Sequence, residues 1–341
     1  MSRIIVAAIL CASLGGFLVA ALNPPHVSAK PVSSHGLLVV VNQGDSSVMT
    51  LDPEAGKPVG SVTVPVRGHE AAVSPDGALA YVPIYGDSAV GRPGSSGRSV
   101  VVIDLATQKI VSTIDLGQPV RPHAAEFGPD GNLYVTAELA QAVDVIDPHT
   151  DKLIGSVPTG QPESHMLAIA PDGRTAYTTN VGPGSISVLD LVARKTLGVI
   201  PISSYAQRIA LTPDGTRLFT SDIPHSRVAV IDTAAAKVIA WVPFPDSTYS
   251  LATTLDGRWL IASHRVSNQV SVVDLSTLKI VHTYDVPAGP TEILVRPDDK
   301  FAFIACGEGH SVVMLDLTSW TIAKILPAGP GADGLAWAPR N

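Results

Sequence analysis

TAYTTNVGPGSISVLDLVARKTLGVIPISSYAQRIALTPDG, residues 175–215, is one copy of a unit that recurs along the chain. It closes on the turn triplet Pro213-Asp214-Gly215. The same triplet, or a worn form of it, closes six other units, which end at Gly77, Gly131, Gly173, Gly257, Asp299 and Asn341. From Gly131 onward the spacing is a constant 42 residues, and only the second unit is longer, at 54, an insertion of 12. A fixed period in this range marks a solenoid, an array or a propeller.

Each unit holds four short runs of strand character. In the third they fall at 132–137 (NLYVTA), 143–147 (VDVID), 152–157 (KLIGSV) and 165–170 (HMLAIA). Val, Ile, Leu, Thr and Tyr dominate, the lengths suit strands, and no apolar period of 3.6 is sustained beyond the first residues of the chain. Four strands per unit of about 40 residues describe a propeller blade. The spacing therefore predicts an all-β, seven-bladed propeller of four-stranded blades. The chain enters with a strand that is not the innermost, so residues 333–341 are expected to close the ring by joining the blade begun at Leu37. Closure of this kind leaves no free sheet edge at the seam.

The first strands read LLVVVN (37–42), LYVTAE (133–138), AYTTN (176–180) and LFTSD (218–222), and the second strands end in Asp52, Asp104, Asp147, Asp190, Asp232, Asp274 and Asp316. These residues resemble the YVTN family of β-propeller repeats over essentially all of 35–341. Resemblance to WD40 repeats is weaker, because no unit carries Trp-Asp. The seven regular Asp residues each precede a turn, where a carboxylate accepts from backbone N–H groups, so they read as structural. The Pro-Asp-Gly triplets read the same way: Pro presets φ and Gly tolerates a positive φ.

The net charge of −7 argues against a nucleic-acid protein. Residues 1–29 read as an export leader, with Arg3, an uncharged run over 4–22, and small residues at Val27-Ser28-Ala29. That run is long for a signal peptide, so an uncleaved membrane anchor stays open. A linker at 30–36 and one propeller over 37–341 follow. The expected setting is periplasmic or secreted, as a monomer, touching a membrane only through the leader. Of the two cysteines, Cys11 lies in the leader and Cys306 stands alone, which excludes an internal disulfide in the processed chain.

Function in a repeat protein is sought where the repeats disagree. Eight residues before the closing turns the column reads His69, His123, His165, Gln207, Tyr249, Thr291 and Asp333. Seven residues after them it reads Asn42, Ile84, Glu138, Asn180, Asp222, His264 and Cys306. Both columns are expected at one mouth of the channel. His69, His123 and His165 are candidate ligands for zinc or copper, with Glu138 or His264 as a further ligand or acid–base group. The same three His could instead pack between blades. Arg67, Arg121 and Arg208 flank the column and, with Tyr249 and Asp222, are candidate ligand-binding residues; the arginines could equally be solvated rim residues. The insertion, 85–99, is rich in Gly and Ser and reads as a lid, an anion loop or a loop without a task. It has no Gly-Lys-Ser/Thr, and no haem or nucleotide motif occurs elsewhere. Two readings stay open: a metal-dependent hydrolase, lyase or oxidoreductase, and a non-catalytic exported module that binds a small molecule or a protein. Propellers that act as lactonases, lyases or copper oxidases hold metals at this end of the channel, which is what the resemblance implies in kind.

Overall fold

The computed structural model describes residues 35–340. The expected leader, most of the expected linker and Asn341 lie outside the described residues. The described strands form seven antiparallel sheets of four. Six are built from consecutive strands. In the seventh, Ala332–Pro339 pairs with Gly36–Asn42, with Leu38 opposite Trp337 and Val40 opposite Leu335. The ring is thus closed by the C-terminal strand, as the sequence predicts. Blades are numbered 1 to 7 from the one that begins at Gly36.

Inner and middle strands are covered on both faces, so they read as unbroken apolar runs. Leu37–Val41 is buried throughout, whereas the outermost strand of the same blade, Lys57–Thr63, is largely exposed. Because side chains alternate along a strand, one strand serves two interfaces. Val39 and Val41 pack toward Val82 and Ile84 of blade 2, while Leu38 and Val40 pack toward Phe303 and Ala305 of blade 7. The core is therefore divided into seven clusters, one between each pair of neighbouring blades.

The recurrent Asp residues are structural. Asp52 Oδ1 accepts from the N–H groups of Glu54 and Ala55 at 2.9 Å, and Asp274 and Asp316 repeat the pattern. The closing turns work alike: Asp214 Oδ1 accepts from Thr216 N, and Gly215 sits at φ 71°.

One irregularity of the inner strands positions everything below. In blade 4, Ser164 pairs with Asn180 and Leu167 with Thr178, three steps on the inner strand against two on its neighbour. Blades 1, 3, 5 and 7 carry the same extra residue. This is a β-bulge, a device that re-aims side chains. Hydroxyls clamp it. Thr136 Oγ1 accepts from Ala124 N and donates to His165 O; Thr179 and Ser263 do the same between the next blades.

Candidate functional site at the bulged end of the channel

The bulge falls at the column read from the sequence and at the residue after it. Consequently residues seven before the closing turns also meet at the channel: Glu70, Met166, Arg208, Ser250 and Glu292. Arg208 is 1% exposed and extends across the axis. Its Nη1 donates to Glu70 Oε1 at 2.7 Å and to Glu292 Oε2 at 3.0 Å, and it touches Met166 Sδ at 3.4 Å. Its Nη2 lies 3.7 Å from Asp333 Oδ1. One arginine from blade 5 thus ties together residues of blades 1, 2, 4 and 7 and plugs the channel. It is no solvated rim residue.

One cation faces three carboxyl groups here. Burial and the neighbouring Glu292 charge push the Glu70 carboxyl well above the usual range, and burial pushes Glu292 up to about 7. Arg208 is held firmly protonated, since the surrounding Tyr249, Glu70, Glu292 and Asp333 outweigh its burial. Glu70 and Glu292 therefore hold their protons more tightly than exposed carboxyl groups do.

Above the plug the three candidate histidines do come together, as a row of rings. Centroids of His69 and His123 are 4.8 Å apart, and those of His123 and His165 are 3.6 Å apart at an interplanar angle of 35°. Tyr85 packs against His69 at 4.7 Å and donates to Glu138 Oε2 at 2.5 Å. Gln43 Nε2 lies 3.0 Å from His69 Nδ1 and also donates to Asp333. Burial lowers all three imidazoles, His69 to about 4 and the other two well below their ordinary value. They are neutral in the fold. His69 Nε2, His123 Nδ1 and His165 Nδ1 have no hydrogen-bond partner among the described residues. Among the described residues no group of three or more His, Cys, Asp or Glu is placed to hold a metal ion.

The remaining candidates disperse. Glu138 is not in the Asn column: Ala137 pairs with Ala142 as Asn180 pairs with Ser185, because the first strand of blade 3 starts one residue nearer its turn. Glu138 instead opens the short 3-10 turn Glu138–Ala140, 3.4 Å from Arg121 Nη1. Arg121 is buried and spends its donors on the insertion, at Arg92 O and Ser96 Oγ. His264 bonds Ser271 Oγ at 2.9 Å and packs on Phe244, away from the histidine row. Asp222 is consumed locally by His225 and Arg227. Cys306 is buried, and burial pushes its thiol up to about 12, so it offers no thiolate.

Arg67 and Tyr249 do line a mouth cavity of about 440 Å³, with Gln43, His69, Arg265 and Asp333. Arg67 is exposed, and Tyr249 lies under the guanidinium groups of Arg208 and Arg265 at 4.8 and 5.2 Å. Ser88 and Ala89 of the insertion complete the lining opposite blades 6 and 7. A Cβ on Gly91 would come within 3.3 Å of Glu163 on blade 4. The insertion therefore lies across the mouth. The sequence reading missed Glu70 and Glu292, although a column read seven residues before the turns shows two acids and an arginine among small and neutral residues.

A family model described as YNCE-like β-propeller matches residues 246–340, in keeping with the YVTN-type repeats. No curated protein matches the chain. Among solved structures, hydrazine synthase from Kuenenia stuttgartiensis is similar at 24% identity and a TM-score of 0.71, over 87% of this chain and 99% of that one. A functionally unknown protein from Desulfotomaculum acetoxidans is similar at 14% identity and a TM-score of 0.72, over 90% and 100%. At these identities the likeness carries the fold alone, and propellers host many unrelated tasks.

Proposed function

We propose that this chain is an exported, non-catalytic propeller that binds a small polar molecule bearing a carboxylate in the lidded mouth of its channel. The observation that carries this reading is the lining of the mouth cavity. Arg67 forms no ion pair among the described residues, Arg265 lies over the Tyr249 ring, and Gln43, His69 and Asp333 offer a hydrogen-bonding wall opposite. Its size of about 440 Å³ lies within the usual range for small-ligand sites, about 300–1,000 Å³. Guanidinium groups pair with carboxylates in two-pronged fashion, and the aromatic face gives a flat or apolar part of the ligand a seat. Below the cavity Arg208 blocks the channel, so a ligand would enter and leave under the insertion.

The test is a panel of small carboxylic acids and amino acids scored by thermal shift and calorimetry. Saturable binding by a member, weakened at least tenfold by Arg67→Ala or Tyr249→Ala, supports the reading. No binder in the panel, or one indifferent to both variants, removes it.

A second reading keeps one observation on its side: three buried imidazole nitrogens lack partners, and buried polar atoms are normally satisfied by protein, water or an ion. Zinc or copper on His69, His123 and His165 would answer that, at the cost of re-aiming the rings. Elemental analysis of protein purified without chelator or nickel decides it. Near-stoichiometric metal in the native chain, and none in the His69→Ala/His123→Ala/His165→Ala variant, would reinstate a metal centre.

A further inference from the structure

The channel has a second opening at the end where the closing turns lie. There the inner strands present, two residues beyond the Arg208 level, Ala168, Ala210, Ala252 and Leu294, and the wall includes Leu167 and Ile293. Small side chains at that level leave a cavity of about 470 Å³. Only blade 3 departs from the pattern. It places Glu126 there, the only titratable residue in the lining.

Among the described residues, no cation lies beside Glu126. Its oxygens accept only from the backbone N–H of Ile169, at 3.2 and 3.4 Å, and they face the cavity. A carboxyl group in an apolar wall is expensive unless something pairs with it. Here burial pushes it up to about 8, with the Ile169 N–H opposing. The fold does not require the group, since six other blades do without it at the same position. None of the closing turns or clamping hydroxyls uses it either.

We propose that this opening is a second binding site, for an aliphatic amine whose ammonium group pairs with Glu126 while its chain lies against the alanine and leucine wall. The assignment rests on a single carboxyl, unpaired among the described residues, at the edge of a cavity of ligand size whose wall is apolar but for Thr212 and Thr253. Arg208 separates it from the lidded mouth, so the two sites take different chemistry and the proposal does not rest on the reading of the other end.

Calorimetry with n-butyl-, n-hexyl- and n-octylammonium chloride on the full chain tests it. Affinity is expected to rise about three- to fourfold per added methylene, the increment for burying a CH₂ group. Octylammonium should bind at least tenfold more tightly than octanol or octanoate. Glu126→Gln should lose that preference, and Ala252→Leu, which fills the cavity and leaves the carboxyl in place, should weaken the whole series. Absence of saturable octylammonium binding overturns the proposal. So does octanol binding as tightly as octylammonium, or an unchanged ammonium affinity in Glu126→Gln.

Discussion

The two ends of the channel are built from the same inner strands, only two residues apart, and they are chemically opposite. The bulged end is polar and crowded, with Arg208 tied to Glu70, Glu292 and Asp333, the histidine row above, and the insertion over the top. The cavity at the turn end has a mostly apolar lining with one carboxyl. Turns, blade interfaces and clamping hydroxyls occupy the positions that the repeat must keep. Channel-facing positions are released from that duty, so they diverge, and the bulge doubles their number at one end.

The sharpest way to break this contrast is to remove the plug. Arg208→Met keeps the stem but leaves three buried carboxyl groups without a cation. Breaking a buried pair in this way costs about 3–5 kcal/mol, so urea unfolding at pH 7 should show a loss of that order. A loss below about 1 kcal/mol, within the range of an exposed pair, would mean the plug is not structural.

The histidine row should make the bulged end acid-sensitive. Each imidazole is held below its ordinary value of about 6.5, so the unfolded chain binds more protons and stability falls as pH drops through 6.5. The contribution per histidine is about 2 kcal/mol between pH 6.5 and pH 5, at about 1.4 kcal/mol per unit. His165→Phe keeps a ring in the stack and removes one titrating group. The stability difference between variant and native chain should therefore move by about 2 kcal/mol in the variant's favour from pH 7 to pH 5. A constant difference would show that the row is protonated in the fold.

The turn end should respond with the opposite sign. The Glu126 carboxyl is raised above its ordinary value to about 8, so the fold binds the extra proton, and its contribution is lost as pH rises from 4.5 through 8. Glu126→Gln should be neutral at pH 4.5 and stabilising at pH 8.5 by about 2 kcal/mol, a figure below the full shift because the carboxyl faces an open cavity. No gain at pH 8.5 would place that carboxyl in contact with water. The smallest effect is expected at the insertion. Replacing residues 88–91 by two glycines, which keeps Arg92 O and Ser96 Oγ for Arg121, should change stability by less than about 1 kcal/mol, since loop length is cheap. The same change should speed ligand release from the mouth, read by stopped flow, and an unchanged release rate would deny the insertion its role as a lid.

Much of this was legible in the residues. The 42-residue step, the Pro-Asp-Gly turns and the Asp at each second-strand end gave seven blades and the C-terminal closure. The Gly- and Ser-rich segment marked the loop that crosses the mouth, and the three histidines were correctly brought together. What misled was counting along a strand as if its pleat were unbroken. One extra residue per inner strand turns the neighbouring column inward as well, which hid Glu70 and Glu292. One residue fewer at the start of blade 3 carried Glu138 out of its column.

By itself the sequence determined the ring, because turn chemistry and a period-two apolar pattern are local and repeat in every unit. Only the tertiary structure decided the channel. Glu70, Arg208 and Glu292 are as much as 222 positions apart and meet only because seven blades close on one axis. Whether a buried charge finds a partner, as Arg208 does and Glu126 does not, depends on which blades face each other across that axis. No local pattern encodes it.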